Sequence, residues 1–533
     1  MIRARAAGDA GLLFETDVPP AWLAAAVTHA ALPGVVDVIP AAATVLVLTD
    51  PGAADVAQLA ATIAALPLTE PATSAEPVIE IPVRYDGSDL ADVAELAGLS
   101  VAEVIAAHAG GLYTVGWLGF SPGFGYLRGL DQRLAGIPRL ATPRVAVPAG
   151  SVAIAAGLAA VYPRVSPGGW RLLGHTTVRM WDADREPAAL LAPGRRVRFV
   201  AESRRGASRS PAPNAATPAR AGGDASSAAN RPQLEVVKPR PLATVQDLGR
   251  RGQGAIGVPP AGAADPASLI AANRLVGNPD GSAGLELTLG RAVFRCHGDL
   301  TIAVTGAPAT VTLTAAGGGT GSEPTGFGAR AEAAAGSLVS IGAPSTGLRC
   351  YLAVAGGVAV PPVLGSRSAD LLSDLGDGPL RPGTKLPIGS DSAPAGDAGS
   401  IGAIHVPARL IERGGVAELR VIAGPRLDWF ETDALDRLCA GTYTVTPASN
   451  RTGLRLAGEP MRRSSDAELP SEGVVTGALQ VPPDGLPILL LADHPTVGGY
   501  PVIAVVASAD LGLAAQLRPG DRLRFTARPP ATR

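Results

Sequence analysis

Cysteine is scarce in this chain, with only Cys296, Cys350 and Cys439 among 533 residues. An odd number of widely spaced thiols builds neither a disulfide framework nor the paired spacing of a zinc site. A lone cysteine of this kind is typically a small buried hydrophobe. The composition therefore excludes the disulfide-rich and zinc-ribbon classes of fold.

Lysine is scarcer still, because Lys238 and Lys385 are the only two and arginine supplies the rest of the 45 basic residues. The formal net charge is -2 and the pI is about 6.3, which is not the basic footprint of a nucleic-acid-binding protein. Neither lysine lies between methionines, as the lysine of a biotin-carrying segment does. We therefore expect no nucleic-acid partner and no covalently attached biotin.

Long apolar runs are missing as well. No run approaches the ~18 residues that span a bilayer, and residues 1–9 lack the apolar core of a signal peptide. These features predict a cytoplasmic protein without a membrane partner.

Glycine and proline, in contrast, are abundant, at 66 and 49 residues, which argues against a helical bundle. They concentrate with aromatic residues at Gly116–Asp131, Pro143–Val152 and Tyr162–Thr176. Glycine permits positive φ and proline fixes φ, so these clusters predict irregular loops on a rigid frame, where ligand pockets tend to form. The alternative is a β-rich domain with many tight turns and no pocket.

A change in composition divides the chain. Residues 204–231 contain almost no large apolar side chain, so they cannot bury enough surface to order themselves. We interpret 204–232 as a disordered linker between two independent halves.

A repeated pattern predicts the units within the halves. Ala192–Phe199, Arg381–Ile388 and Arg518–Phe525 each combine a Pro-Gly turn with alternating apolar and polar residues, which is typical of a closing β-strand. The start of the chain instead alternates strand-like and helix-like segments, which indicates a small α+β domain. The predicted fold is mainly β (α+β), with units 1–78, 79–203, 233–400 and 401–533. Helices are predicted at Pro19–Ala31, Gly52–Leu66, Val93–His108 and Leu269–Leu275.

Polar residues concentrate in the second half. Arginine forks suit carboxylate or phosphate oxygens, and Asp or Glu beside them can hold a metal or transfer protons. For each residue the alternative is a turn former or an internal ion pair. The segments are Thr244–Arg250, Gly262–Asp265, Leu285–Leu287, Gly365–Ser368, Ser449–Arg455, Ser471–Glu472, Gln480 and Ala492–Tyr500.

Three of the six histidines are candidates for a ligand contact, with a structural role as the alternative. His108 precedes the first glycine cluster and is the best candidate for a ligand contact, ahead of His175 and His494. A lone histidine is more often a satisfied structural residue, which is the alternative for all three.

The motifs of the first half carry a family resemblance. Residues 1–203 resemble the B subunit of 5-oxoprolinase, also called allophanate hydrolase subunit 1, which is related to a sporulation histidine-kinase inhibitor. The residues that carry the resemblance are His108, Gly119–Asp131, Pro143–Arg144, Val147–Ser151 and Ser166–Trp170.

Residues 233–527 resemble the C subunit of 5-oxoprolinase, or allophanate hydrolase subunit 2, and the same pair of modules forms the carboxyltransferase region of urea carboxylase. The resemblance implies a natural fusion of the B and C subunits, with one cyclophilin-like β-barrel behind the small α+β domain and two in the second half. It is carried by Thr244–Arg250, Gly262–Asp265, Glu286, Ala355–Gly357, Gly365–Ser368, Gly424–Pro425, Gln480–Pro482 and Asp493–Tyr500.

The chain departs from the family pattern in two places. Ser368-Ala369 stands where the family usually has Ser-Thr, and Asp374–Pro379 replaces a glycine- and arginine-rich continuation. His494–Val497 stands where the family usually has Arg-Gln-Thr-Thr.

The resemblance implies an ATP-dependent amide (lactam) hydrolase component that opens 5-oxoproline to glutamate together with a separate A subunit. ATP is the expected cofactor and Mg²⁺ a further candidate, with no metal ligands assigned. The candidates for proton or Mg²⁺ handling are Asp247, Asp265, Glu286 and Asp493. The candidates for binding substrate or nucleotide are His108, Phe120, Gly123, Tyr126, Arg144, Gly150, Ser151, Gly168, Gly169, Trp170, Gln246, Arg250, Arg367, Arg451, Gln480, Thr496, Gly499 and Tyr500.

Two other functions stay open. One is carboxyl transfer from partner-borne biotin to a urea-like amide, and the other is inhibition of a sensor histidine kinase. The expected partners are a protein like the A subunit of 5-oxoprolinase and a small lactam or amide substrate, and a homo-oligomer is compatible with the sequence.

Overall fold

The computed structural model describes residues 2–50, 55–202, 231–239, 241–317, 322–390, 415–465 and 467–528. The predicted linker 204–232 lies almost entirely outside the described residues, as does the predicted boundary between 400 and 401. The exact unit boundaries therefore stay predictions.

The N-terminal segment forms a four-stranded antiparallel sheet with two helices. Strand alternation sends Leu12 and Phe14 into the core beneath the helices and turns Leu13 and Leu46 toward the rest of the chain. In sheet order the strands are Ile2–Ala6, Gly11–Thr16, Thr44–Thr49 and Val35–Pro40, and the helices are Pro20–Ala30 and Val56–Ala64.

A seven-stranded sheet follows and curls into a nearly closed barrel, because a bridge between Arg84 and His175 joins its two outer strands. Val115, Ile154 and Phe199 are among the apolar side chains that fill it. In sheet order the strands are Arg171–His175, Ser151–Ala155, Leu158–Val161, Ser121–Arg128, Tyr113–Gly119, Arg196–Ala201 and Ile79–Val83. Arg144–Val147 and Ser166–Gly168 pair beside it.

The single helix predicted at Val93–His108 is wrong, because the structure has two helices, Leu90–Ala97 and Val101–Gly110. Gly98 ends the first at a φ of 65°, a left-handed conformation that glycine adopts at little cost. Ser100 then caps the second through a reciprocal capping box with Glu103. Gly98 therefore ends one helix and Ser100 begins the next, a boundary that the spacing of apolar residues alone does not show.

The second half begins with two stacked sheets that enclose one apolar core, which includes Leu234, Leu285 and Phe294. The first sheet contains, in order, Ser322–Thr325, Val311–Thr314, Leu338–Ile341, Ala292–His297, Gln233–Pro239 and Lys385–Pro387. The second contains Leu242–Gln246, Gly284–Thr288, Arg349–Val354, Leu300–Gly306 and Arg330–Ala333. The helix Pro266–Leu275 packs on the second sheet.

The last unit is a closed seven-stranded barrel with its own core around Leu419, Leu479 and Phe525. Its strands in order are Val416–Ala423, Val502–Val506, Ala478–Gln480, Ile488–Leu490, Gly453–Ala457, Tyr443–Val445 and Arg522–Ala527. Glu472–Gly473 pairs with Val497–Gly498 outside it. The remaining helices and helical turns are Ala72–Ala75, Gln132–Ala135, Gly254–Ile256, Leu427–Trp429, Ala434–Ala440, Ser508–Asp510 and Leu511–Ala515.

The mainly β fold with an α+β start is confirmed, and the three Pro-Gly turns explain part of it. Gly194, Gly383 and Gly520 adopt φ values of 87°, 86° and 92°, and each turn leads into a strand. These strands are Arg196–Ala201, Lys385–Pro387 and Arg522–Ala527. No helix in the described ranges has the length and apolarity needed to cross a bilayer.

The two halves share an apolar core. It joins Leu46 of the N-terminal sheet, Trp117 and Tyr126 of the first barrel, and Val475 and Val497 of the last barrel. Glycines permit the closest approach, since a Cβ at Gly119 would lie 2.2 Å from Cγ2 of Val497. The halves are therefore in direct van der Waals contact, with no space for an added side chain at Gly119.

Ion pairs border this apolar contact. Arg426 of the second half donates to Glu472 and, at 2.5 Å, to Glu15 of the N-terminal sheet. Arg5 bonds Glu15 at 3.1 Å and Asp428 at 3.0 Å. This charged border fixes the orientation of the two halves.

Adding a methyl group at Gly473 tests the shared core. Its Cβ would lie 2.4 Å from Cβ of Leu46, an atom that no side-chain rotation can move away. We expect Gly473→Ala to lower the free energy of unfolding in urea by about 1–3 kcal/mol, because overpacking forces the backbone to shift. Gly136→Ala is the control, since a Cβ there meets nothing within 4 Å. Equal stability of the two variants would contradict this packing.

Candidate functional site

Arg451 lies at the centre of a buried ionic cluster between the two units of the second half. Its Nη1 donates to Oε1 of Glu286 at 2.5 Å, and its Nε and Nη2 donate to Asp493 at 2.9 and 2.8 Å. Nη2 also donates to the carbonyl of Gly262 at 2.6 Å. Arg451 is 4% exposed and both carboxylates are less so, which makes this a desolvated bidentate ion pair.

The carboxylate of Glu286 accepts further hydrogen bonds besides the one from Arg451. Its Oε2 accepts from the Tyr351 hydroxyl at 2.8 Å and from the Ala264 N–H at 2.9 Å, while Arg349 reaches Oε1 at 3.2 Å. Burial opposes ionisation of Glu286, but the guanidinium charges of Arg451 and Arg349 outweigh it and lower the pKa of this carboxyl. Glu286 is therefore held ionised.

Asp265 connects this cluster to the helix Pro266–Leu275. As the N-cap residue it accepts from the Ser268 N–H at 3.2 Å and from the Ser268 hydroxyl at 2.6 Å. The Gln516 amide of the last barrel donates to the same carboxylate at 2.9 Å. Its own N–H donates to the Tyr351 hydroxyl at 2.8 Å, so Asp265 shares a neighbour with Glu286.

Asp247 holds the loop that follows Val363. Its Oδ1 accepts from the hydroxyls of Ser366 and Ser368, at 2.6 and 2.5 Å, and its Oδ2 accepts from the Arg367 N–H at 2.6 Å. The side chain of Arg367 turns back to the carbonyl of Val360 at 2.8 Å. Asp247 and Arg367, predicted for proton handling and binding, therefore organise one loop.

Arg250 and Gln246 hold the same loop from the other side. Arg250 donates from Nε to the Val363 carbonyl at 3.3 Å and from Nη2 to the Ser368 carbonyl at 2.5 Å. Gln246 donates from Nε2 to the Ala369 carbonyl at 3.0 Å. Burial lowers the pKa of the Arg250 guanidinium, and the nearby charge of Asp370 opposes that effect.

The other predicted residues of the last barrel lie near its junction with the first half. Gln480 donates to the Tyr500 carbonyl at 3.2 Å, and the Tyr500 side chain is 43% exposed. Thr496 is buried next to Val497, which packs against Gly119. A Cβ at Gly499 would meet only the Leu469 carbonyl, at 3.5 Å.

The glycine-rich clusters of the first half enclose an aromatic group. Phe124 is its hub, with ring centroids of Phe120, Tyr126 and Trp170 at 5.3, 5.0 and 5.9 Å. Phe120 is 39% exposed at a φ of 64°, whereas Tyr126 and Trp170 are buried in the core that the halves share. These aromatic candidates contribute to the junction of the halves.

Three of the predicted glycines lie too close to neighbouring atoms to carry a side chain. A Cβ would lie 2.9 Å from Trp181 Cβ at Gly123, 2.3 Å from the Thr176 carbonyl at Gly150, and 2.2 Å from the Tyr162 hydroxyl at Gly168. Gly169 has more room, with its nearest neighbour at 3.6 Å, and Ser151 is buried at the start of a strand.

His108 lies in the core of the first barrel. Its ring stacks on Phe199 at 4.4 Å between centroids, and Nδ1 lies 2.7 Å from the Tyr85 hydroxyl. Complete burial lowers the pKa of His108 to about 3, so the ring is neutral. Arg144, another binding candidate of this half, pairs with Asp89 at 2.6 Å. The binding roles of His108 and Arg144 stay predictions, and their described contacts are internal.

A cavity of about 550 Å³ lies where the N-terminal sheet, the helix Pro266–Leu275 and the last barrel meet. Among the predicted site residues, Asp265 is the one that lines it. Apolar side chains dominate the wall, and its Arg251 is paired with Asp50 at 2.5 Å. The glycine-rich clusters of the first half do not line this cavity.

Neither this cavity nor the Arg451 cluster fits a triphosphate. Arg251 is the one basic side chain in the cavity wall, and all three guanidinium nitrogens of Arg451 already donate to protein oxygens. Within the described ranges no three His, Cys, Asp or Glu side chains are grouped to hold a metal.

The structure thus brings together Glu286, Asp493, Arg451 and Asp265, and a second group of Asp247, Arg250, Gln246 and Arg367. Four further residues of these groups were not predicted from the sequence, and they are Arg349, Tyr351, Gln516 and Asp370. Arg349 and Tyr351 lie on a fully buried strand, and a polar side chain in such a strand requires a partner. That requirement was the signal that could have identified them.

Comparison with known proteins assigns the class. Residues 256–527 match the family model "carboxyltransferase domain, subdomain A and B", and residues 3–191 match "carboxyltransferase domain, subdomain C and D". The chain therefore belongs to the carboxyltransferase-domain family.

The similar curated proteins include two subunits of one enzyme. Over 295 residues, 55% of this chain and 90% of the relative, the chain is 35% identical to the C subunit of 5-oxoprolinase from Escherichia coli strain K12. Over 125 residues, 23% of this chain, it is 50% identical to the B subunit of 5-oxoprolinase from Escherichia coli O157:H7, and this match spans 57% of that relative. It is also 32% identical to urea amidolyase of Lachancea kluyveri, over 55% of this chain and 17% of that protein.

A solved structure resembles the whole chain. The crystal structure of TTHA0988 superimposes with a TM-score of 0.81 at 34% identity, covering 99% of this chain and 100% of that one. Both halves, in the same arrangement, are therefore shared with another protein.

Removing the Arg451 charge should strongly destabilise the protein. We expect Arg451→Leu to lower the free energy of unfolding by about 3–5 kcal/mol, because it leaves Asp493 buried without its counter-charge and Glu286 with Arg349 alone. Arg455→Leu is the matched control, since Arg455 is exposed on the adjoining strand Gly453–Ala457. Urea denaturation measures both, and a loss below about 1 kcal/mol for Arg451→Leu would contradict the desolvated pair.

The surroundings of His108 predict a pH dependence of stability. Its pKa is about 3 in the folded chain and near 6.5 in the unfolded chain, so the unfolded chain binds more protons between these values. Stability should therefore fall as pH decreases through this window, by up to about 1.4 kcal/mol per pH unit from this ring. His108→Phe keeps the ring stacking and should flatten the slope between about pH 6.5 and pH 5. An unchanged slope would show that His108 does not titrate in this way.

Proposed function

We propose that this chain is the fused B and C component of an ATP-dependent 5-oxoprolinase and that it opens 5-oxoproline to glutamate together with a separate protein like the A subunit of that enzyme. One observation carries the proposal: a half similar to the B subunit and a half similar to the C subunit share an apolar core within one chain. Two modules that must act on the same substrate gain from such fixed placement.

In this proposal the Arg451 cluster positions the site. Both oxygens of Glu286 and both oxygens of Asp493 accept hydrogen bonds, so these carboxylates hold Arg451, Tyr351 and the Gly262–Asp265 backbone in place. Substrate recognition is assigned instead to the loop that Asp247 and Arg250 hold, where polar atoms are still available.

ATP supplies the driving force by activating the amide toward water. Since neither the apolar cavity nor the Arg451 cluster offers free cationic groups to a triphosphate, we expect ATP to be bound and hydrolysed only when the A-like partner is present. This assigns recognition of the amide to the present chain and makes nucleotide binding a property of the complex.

The similarity to urea amidolyase favours a second candidate, which is carboxyl transfer from partner-borne biotin to a urea-like amide. The two candidates differ in what they consume. The second requires bicarbonate and a biotinylated partner, whereas the first requires neither.

The proposal predicts 5-oxoproline-dependent ATP hydrolysis by the purified chain mixed with its A-like partner. Glutamate and phosphate should appear in equal amounts, and omission of either protein should abolish both products. Arg455→Leu, on the exposed surface, should leave the rate unchanged. Absence of turnover in a complex shown to form would contradict the proposal, and bicarbonate-dependent carboxylation of urea would establish the second candidate.

A further inference from the structure

Three buried side chains around one loop each keep a polar atom that has no hydrogen-bond partner among the described residues. The atoms are Oε1 of Gln246, Nη1 of Arg250 and Oδ2 of Asp370. The three residues are 0%, 2% and 1% exposed. A buried polar atom without a partner is costly, so three of them in one place require an explanation.

The remaining polar atoms of these side chains fix their orientation. Oδ1 of Asp370 accepts from the N–H groups of Leu372 and Ser373, both at 3.0 Å, and the Ser373 side chain also bonds this carboxylate, while Oδ2 has no partner of its own. The Gln246 amide must present nitrogen to the Ala369 carbonyl, since a carbonyl only accepts, so its available atom is the oxygen.

The three side chains converge on residues 363–370. Gln246 bonds Ala369, Arg250 bonds Val363 and Ser368, and Asp370 follows directly in the chain. The opposite charges of Asp370 and Arg250 also attract each other. The group therefore presents two acceptors and one cationic donor.

We propose that Gln246, Arg250 and Asp370 form a recognition site for an amide group, in which Asp370 and Gln246 accept from N–H and Arg250 donates to C=O. This inference rests on the proposed function and deepens it by naming the residues that recognise the lactam. It adds Asp370, a residue in direct contact with the substrate amide.

The mixed polarity selects this class of ligand. A phosphate or carboxylate would face the Asp370 carboxylate and the Gln246 oxygen, and a cation would face the Arg250 guanidinium. A neutral group that carries a donor and an acceptor side by side suits this arrangement, because its C=O accepts from Arg250. The single N–H of a lactam bonds one of the two acceptors or is shared between them, whereas a carboxamide or urea offers an N–H to each. Burial strengthens such hydrogen bonds, because water does not compete for the same donors and acceptors.

We expect a ligand to reach the three buried atoms through this loop. Leu364 and Asp374 adopt φ values of 52° and 58°, a strained conformation for residues other than glycine. Between them, Leu371 and Leu372 expose 37% and 40% of their surface. Arg164 of the first half donates to the Leu372 carbonyl at 2.6 Å, so the first half contacts this loop directly.

Calorimetric titration of the full chain, alone and with the A-like partner, tests the site. The probes are 5-oxoproline and 2-pyrrolidinone, a lactam without a carboxylate, and proline serves as a ligand that lacks the amide. We expect both lactams to bind and proline not to bind. Failure of both lactams to bind, with and without the partner, would overturn the proposal and leave the three atoms to internal water.

Asp370→Asn is the decisive variant. Its carbonyl oxygen can still accept from the Leu372 and Ser373 N–H groups, so the turn is kept while an NH₂ donor replaces Oδ2. We expect the lactam Kd to rise at least tenfold, and Asp510→Asn, at an equally buried carboxylate elsewhere in the chain, to leave it unchanged. Arg250→Lys provides a second test if Asp370→Asn does not fold. An unchanged Kd in a folded variant would overturn the site.

The two proposals fail separately. Lactam binding that depends on Asp370, without ATP-dependent turnover, would remove the 5-oxoprolinase assignment and keep the amide site. Turnover of 5-oxoproline with an unchanged KM in Asp370→Asn and Arg250→Lys would keep the assignment and remove the site.

Discussion

The organisation of the second half depends on the burial of one guanidinium group. Arg451 lies on the last barrel, while Glu286 and the Gly262 carbonyl belong to the preceding unit. Without it, Asp493 would lose its guanidinium partner and Glu286 would keep only Arg349, and an unpaired buried charge costs several kcal/mol. The pairing therefore fixes the register between the two units and, through Tyr351 and Asp265, the start of the helix Pro266–Leu275.

The first half stabilises the same region from outside. Its aromatic group and glycines meet Val475 and Val497, the second of which lies close to Asp493 in the chain, and Arg164 bonds the loop at Leu372. The candidate amide site is thus held on one side by the ionic cluster and on the other by the junction of the halves. A shared apolar core transmits such constraints, since packed side chains do not deform gradually.

Much of this fold was predictable from local chemistry. The Pro-Gly turns marked three strands correctly because glycine readily adopts the positive φ that they require. The helices near residues 20, 60 and 270 followed from apolar spacing, whereas Gly98 and Ser100 broke the fourth. The glycine-rich clusters were predicted to form irregular loops around a ligand pocket, but much of them lies in the strands Tyr113–Gly119, Ser121–Arg128, Ser151–Ala155 and Arg171–His175, and the apolar cavity lies elsewhere. Contacts between distant parts of the chain determine where the cavity forms. Such contacts also bring Asp370 close to Arg250, 120 positions earlier in the chain.

The most direct test of the central claim is a double-mutant cycle between Glu286 and Arg451. Glu286→Gln, Arg451→Met and the double variant are compared with the parent chain by urea denaturation. A buried, desolvated pair predicts a coupling energy of about 1.5–3 kcal/mol, with the double variant more stable than the sum of the single changes implies. Additive losses, with coupling below about 0.5 kcal/mol, would show that Arg451 does not hold these units together through Glu286.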